Sequence, residues 1–186
     1  MAVDLETTGL DPQLDEIITI GLVCLRGLRI DLCTAQHRYI LTNRDIPERS
    51  AVIHKVTDDR AAAGEPLAGA MTELLSLLAG RVMIAHHARF ELQFLNAACE
   101  RLFGSKFLVP VVDTQWIMKR WLERRDLAYS SKELRLGAIR KRYGLPQYRA
   151  HNALSDALSA AELFIAQVAQ RGSEQHLPLK QFLLRH

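Results

Sequence analysis

The chain has little of what marks a secreted, disulfide-stapled or membrane-spanning protein. Its three cysteines, Cys24, Cys33 and Cys99, are scattered and form no Cys-x-x-Cys pair, a pattern that suits neither a disulfide framework nor a thiolate zinc site. A reducing, cytoplasmic setting is the simplest expectation. The longest uncharged apolar run covers residues 17–25, far short of the roughly 20 residues needed to span a bilayer. Acids at positions 4 and 6 also do not fit the basic start of a signal peptide. Aromatic residues make up only 6% of the chain, which leaves few platforms for stacking a long run of bases. There is no internal repeat and no low-complexity segment, so a solenoid or a disordered tract is not expected.

What is present fits one globular domain with a real core: 186 residues, 48% of them hydrophobic. The net charge is only +3, yet residues 119–149 hold ten Lys/Arg against three acids, a local excess of seven. Such a segment is either a solvated helical face or a surface that meets a polyanion.

Periodicity places the elements. Residues 17–25 are rich in β-branched side chains and read as a strand, followed by a turn at Arg26-Gly27, a second strand at 28–34 and a third at 36–41. Leu67, Ala70, Met71, Leu74, Leu75 and Leu78 recur at helical spacing, and Gly80 closes that element. "RVMIAH" reads as a short buried strand, and the helix that follows ends at Gly104. "VPVVDT" is a further strand. Helices are expected around residues 115–124, 133–143 and 153–170, and a loop with one helical turn at 46–57. Strands come first and then alternate with helices, which predicts an α/β fold in which a mixed sheet is covered by helices. Three residues precede Asp4, fewer than a central strand normally supplies, so further residues are expected upstream. The expected division is a catalytic domain at residues 1–170 and a tail at 171–186.

The chemistry gathers at three separated stretches. In "VDLETTGL", Asp4 and Glu6 are two apart on a strand, so their side chains share a face about 7 Å apart. Two carboxylates that close repel, and they persist either in water or with a cation between them. In "HHARFELQFL", Glu91 opens a helix just after a strand. In "HNALSDA", His151 precedes a helix and Asp156 lies in its first turns, at the edge of an alanine-rich buried stripe. A carboxylate leaning toward a core needs a partner, since an unpaired buried charge is expensive. The small alanines allow that helix to approach the sheet closely. Taken singly, each stretch also has an ordinary reading as a solvated strand end or a helix-dipole acid.

In this order and spacing, "VDLETTGL", "AHHARFELQFL" and "HNALSDA" resemble the three motifs of the DEDDh (DnaQ-like) 3′–5′ exonucleases, a family with a ribonuclease H-like fold. The resemblance runs over roughly residues 3–170, and "IPERSAVIHKVT", "VVDT" and "LRLGAIRKRYGL" are similar to the family's connecting segments. It implies that Asp4, Glu6, Glu91 and Asp156 ligate two Mg²⁺ or Mn²⁺ ions and that His151 is the general base. The implied product is a nucleoside 5′-monophosphate. Thr7, Thr8, Gly9 and Leu10 match the stretch lining the terminal nucleotide pocket, and Phe90 matches an aromatic beside the terminal sugar or base. His54 is expected to border the same pocket. Phe90 also has a reading as core, at helical spacing with Phe94.

Two positions depart from the family pattern His-Asn-Ala-x-Phe-Asp: His87 stands where Asn is usual, and Glu91 where Asp is usual. The added methylene keeps the charge but moves the carboxylate, which implies a looser second-metal site, a preference for Mn²⁺ and reduced activity. Single-stranded DNA 3′ ends are the expected substrate. RNA trimming and a non-catalytic nucleic-acid-binding module are the alternatives. In the tail, "QHLPL" resembles a sliding-clamp peptide, which implies a polymerase or clamp partner; an apolar tail packed on the domain is the competing reading.

Overall fold

The computed structural model describes residues 1–42, 63–148, 151–172 and 177–184. The expected loop at 46–57, with His54, lies outside the described residues. Five strands form one sheet: β1 (Ala2–Thr7), β2 (Ile17–Arg26), β3 (Arg29–Tyr39), β4 (Met83–Ala85) and β5 (Val111–Asp113). Their order is β3-β2-β1-β4-β5. The first three pair antiparallel and β1, β4 and β5 pair parallel. Five α-helices accompany them: α1 (Leu67–Leu78), α2 (Arg89–Phe103), α3 (Thr114–Glu123), α4 (Leu136–Arg142) and α5 (Ala153–Gln170).

Alternation along β1 sorts its side chains. Met1, Val3 and Leu5 join one apolar cluster with Met71, Leu74, Phe94 and Leu95 of α1 and α2. Ala2 joins the opposite cluster with Ala157, Ala161 and Phe164 of α5. With a period of two, Asp4 and Glu6 share the face of Ala2, the face that α5 covers.

Two elements differ from the sequence expectation. The strands expected at 28–34 and 36–41 are one strand, β3, interrupted by a bulge: Leu22 pairs with Gln36, but Cys24 already pairs with Asp31. The Thr34 hydroxyl donates to the Asp31 carbonyl and accepts from the Cys24 N–H, replacing a ladder bond within the bulge. The helix expected at 133–143 is split into a 3-10 turn (Ser131–Leu134) and α4, with the extended backbone of Arg135 between them. Ser130 and Glu133 form a capping box that fixes the start of the turn.

Beyond α5 the tail folds back. Phe182 is buried with its ring edge-on to Phe164, centroids 5.6 Å apart, and the Leu184 N–H donates to the Val111 carbonyl at the edge of the sheet.

Gly21 sets the distance between α5 and the sheet. It is the cross-strand partner of Asp4, and a Cβ built on it would lie 2.0 Å from the Ala153 carbonyl carbon in the first turn of α5. Gly21→Ala therefore pushes α5 off the sheet. The expected cost is about 1–3 kcal/mol or more, read as a lowered melting temperature, together with a weakened response to divalent cations as Asp156 moves away from Asp4. An unchanged melting temperature would show that α5 can shift without penalty.

Candidate active site

Four elements bring their ends to one place. Strand β1 supplies Asp4 and Glu6, α5 supplies Asp156, and carboxylate oxygens of these three lie within 4.8 Å of one another. Glu91, on the third residue of α2, is buried and one of its carboxylate oxygens, Oε2, is a buried acceptor without a hydrogen-bond partner. It stands outside the trio but beside it. Burial first, then the charges of Glu91, Asp156 and Glu6, hold the Asp4 carboxyl well above the ordinary range. Burial, with Asp113 and Glu6 adding to it, pushes Glu91 up to about 8. Asp156 is also raised by burial, and the His151 N–H, which donates to its Oδ2 at 2.8 Å, opposes that shift.

Such a cluster leaves negative charge and a buried acceptor uncompensated, and an oxygen-preferring divalent cation is the chemical species that satisfies both. The residues present therefore fit a metal ion. The trio is a ready set of hard oxygen donors, and Asp4 is positioned to be shared between that set and Glu91.

His151 stands at the entry to α5 with φ 67°, a left-handed backbone for a non-glycine residue. Asn152 caps the helix, its side chain accepting from the Ser155 N–H at 3.0 Å. The segment leading to His151 is anchored by Arg140, which is 2% exposed and donates to the carbonyls of Ser159 and Pro146 and to the Glu162 carboxylate at 2.6 to 2.8 Å. Tyr148 lies over the Arg140 guanidinium, 4.7 Å from its ring centroid, and its hydroxyl donates to Glu162.

The turn after β1 carries Thr7, Thr8, Gly9 and Leu10. The Thr8 hydroxyl donates to Asp15 Oδ1 at 3.0 Å, and Asp15 Oδ2 accepts the Asp11 N–H at 2.9 Å. A Cβ on Gly9 would overlap that carboxylate at 2.4 Å, so glycine lets the turn close on Asp15. Leu10 is 82% exposed and free of the core. Phe90 is partly buried against the α1–α2 core, its ring 4.9 Å from that of Phe94, so its core reading has a structural basis.

Sequence reasoning passed over three residues that hold this site together. Asp113, at the end of β5, is buried, and its carboxylate accepts N–H bonds from His87, Ala88, Gln115 and Trp116. It caps α3 and at the same time pins the segment from which α2 carries Glu91. Its signal was an Asp directly ahead of a helical stretch. Asp15 and Arg140 are the others; an arginine in a helical stretch gives no sequence sign of burial. His86 has its role fixed by burial, which pushes it down to about 4. As a neutral ring it donates from Nε2 to the Leu134 carbonyl at 3.0 Å and accepts the Thr114 hydroxyl at Nδ1, 2.9 Å away. This ties the 3-10 turn to the sheet.

The acids open into a groove of about 780 Å³ whose lining includes Asp4, Asp156, His87, His151, Lys132 and Arg135. A second cavity of about 670 Å³, between the β2–β3 turn and the far end of α5, is lined mainly by apolar side chains with no carboxylate or histidine. Among the described residues, no helix is long and apolar enough to cross a membrane.

An α/β sheet with acids converging at the carboxyl end of its strands, opening into a groove with a basic lip, defines a nuclease-type domain. The chain belongs to the DnaQ-like 3′–5′ exonuclease family: the family's exonuclease model, RNase T, matches residues 1–164. It is 33% identical over 165 residues to the PolC-type DNA polymerase III of Thermotoga maritima, covering 89% of this chain but 11% of that protein. With the DNA polymerase III epsilon subunit of Treponema pallidum it shares 29% identity over 175 residues, 93% of this chain and 78% of the subunit. Exonuclease X, solved in complex with 5′ overhanging duplex DNA, has the same fold at a TM-score of 0.71 and 19% identity, covering 97% of this chain and 95% of that one. The chain thus spans about a tenth of the length of the PolC relative. Divalent-metal dependence is general to the family.

The Glu91 carboxyl gives the domain a pH signature. With its value near 8 in the fold against 4.5 for the ordinary side chain, the folded state binds a proton that the unfolded chain has already released between those pH values. Stability without metal is therefore greatest below about pH 4.5 as far as this group is concerned, and is lost as pH rises toward 8. In EDTA the melting temperature is expected to fall across that window, Mn²⁺ to restore it most at the alkaline end, and Glu91→Gln to flatten the EDTA curve. A parent curve as flat as that of the variant would remove Glu91 from the cluster's electrostatics.

Proposed function

We propose that the chain hydrolyses the terminal phosphodiester at the 3′ end of single-stranded DNA and releases nucleoside 5′-monophosphates, an activity of the proofreading type. The observation that carries this reading is the convergence of Asp4, Glu6 and Asp156 with Glu91 beside them and His151 hydrogen-bonded to Asp156 through its backbone. In this reading the four acids hold two divalent cations, Mg²⁺ or Mn²⁺. When bound, the cations supply Lewis acidity that makes water a nucleophile at neutral pH and offsets charge on the leaving oxygen.

The chain's own residues do the rest. The His151 imidazole accepts the proton of the attacking water, a task suited to a ring that titrates near neutrality. Its left-handed backbone and the N–H bond to Asp156 fix its entry to the groove beside the acids. Thr7, Thr8, Gly9 and the exposed Leu10 form the wall against which the terminal nucleotide rests, held rigid by Asp15. Lys132 and Arg135, on the lip of the groove, attract the phosphates of the incoming strand. The tail is read as a packed part of the domain, because Phe182 is buried, and no clamp-binding role is assigned to it.

The test is release of labelled 5′-mononucleotides from single-stranded DNA and RNA oligomers with Mg²⁺, Mn²⁺ or EDTA. Metal-dependent trimming of DNA is expected, with His151→Ala slowing it by about 10²- to 10⁴-fold while Mn²⁺ still raises the melting temperature of the variant. Trimming of RNA alone would replace DNA by RNA as the substrate. No trimming by a folded protein that still binds the strand would leave a nucleic-acid-binding module.

A further inference from the structure

Away from the acids, three arginines converge on one small pocket. Arg120 and Arg124 reach it from α3 and Arg171 from the end of α5; Trp116 and Gln181 complete a cavity of about 200 Å³. The ion pairs among the described residues engage Arg26, Arg38, Lys119 and Arg140, and none of these three. Three guanidiniums around one cavity repel each other, and Arg171 registers it: burial first, then Arg124, hold it below its ordinary value. Aromatic faces steady two of them. Arg120 lies 4.6 Å from the Trp116 ring centroid and Arg171 4.8 Å from that of Phe182. A guanidinium stacked on a ring keeps its N–H edge available for an anion.

Further arginines extend this face. Arg125 and Arg142 flank the Trp121 ring at 4.2 and 5.0 Å. From there Arg135 and Lys132 lead to the lip of the catalytic groove. Helix α5 measures the separation: Asp156 to Arg171 is 15 residues, about 22 Å at 1.5 Å per residue.

We propose that the Arg120–Arg124–Arg171 pocket is a second phosphate-binding site, which takes a backbone phosphate of the nucleic-acid strand upstream of the 3′ end being cleaved. At roughly 3.4 Å per stacked nucleotide, 22 Å corresponds to about six or seven nucleotides. An extended strand arrives with fewer. The site therefore serves long strands and leaves the shortest untouched. It rests on the exonuclease reading for the identity of the strand, while its own binding is measurable without turnover.

The experiment compares the parent with the Arg120→Ala/Arg124→Ala double variant, whose melting temperature reports that the fold is intact. Binding of a labelled single-stranded DNA of about 15 nucleotides is measured in EDTA at several salt concentrations, and hydrolysis of that strand and of a trinucleotide is measured with Mn²⁺. The expected result is about tenfold weaker binding of the long strand, a salt slope reduced by about 1.4 for two lost contacts at 0.7 each, and unchanged hydrolysis of the trinucleotide. Equal affinity and equal slope in parent and variant would overturn the site. So would an inorganic phosphate effect on the parent's melting temperature that the variant lacks, if long-strand binding were the same in both, since the occupant would then be a free anion. No hydrolysis of either substrate by the parent would defeat the exonuclease reading and leave the binding result standing by itself.

Discussion

The close approach of α5 to β2 is the constraint on which the site depends. Asp4 and Asp156 are far apart in sequence, and they meet because the first turn of α5 rests on a glycine. Gly21 lies directly across from Asp4, and its missing side chain lets the Ala153 backbone occupy the space a Cβ would take. The alanines that follow, Ala157, Ala160 and Ala161, continue the close contact along the helix. A larger residue at any of these points would separate the two halves of the acid cluster before it altered any acid.

That packing brings like charges together, and the surrounding structure compensates for the repulsion only in part. The Asp156 carboxylate accepts N–H bonds from its own helix entry, which favours its ionised form. Asp113 accepts four backbone N–H groups and so is satisfied without any cation. Asp4 and Glu91 have no comparable relief, and these are the two whose carboxyls stand highest. The acids therefore divide by role: Asp113 builds the scaffold, while Asp4 and Glu91 stay electrostatically dissatisfied. Raised carboxyl values in a cleft are the mark of a site prepared for a partner of opposite charge.

Much of this was legible in the sequence, for definable reasons. Helix α1, α2 up to Gly104, and α5 follow from apolar spacing, because a single buried stripe leaves a strong 3.6-residue signal. The acids and His151 stood out because their chemistry is rare at strand ends and helix starts. What was not legible depended on contacts between distant segments. The bulge in β3 needs the Thr34 hydroxyl to find the Cys24 N–H across the hairpin. The burial of Arg140 needs a carboxylate and two carbonyls gathered from α5 and the following loop. The excess of basic residues at 119–149 was visible as a number. Its arrangement around tryptophans, and its convergence with Arg171 from beyond that window, required the fold.

The glutamate at position 91 has a geometric account that follows from the same packing. Helix α2 is tethered by Asp113 through His87 and Ala88, so its first turn is fixed relative to β5 rather than to β1. A side chain leaving that turn must cross to the face of the sheet where Asp4 stands. The glutamate arm makes the crossing: among the charges acting on Asp4, Glu91 outranks Asp156 and Glu6, although those two belong to the close trio. The extra methylene thus places charge beside Asp4 while the helix stays where Asp113 holds it. The substitution of Glu for Asp changes the length of one arm and leaves the scaffold of the site unaltered.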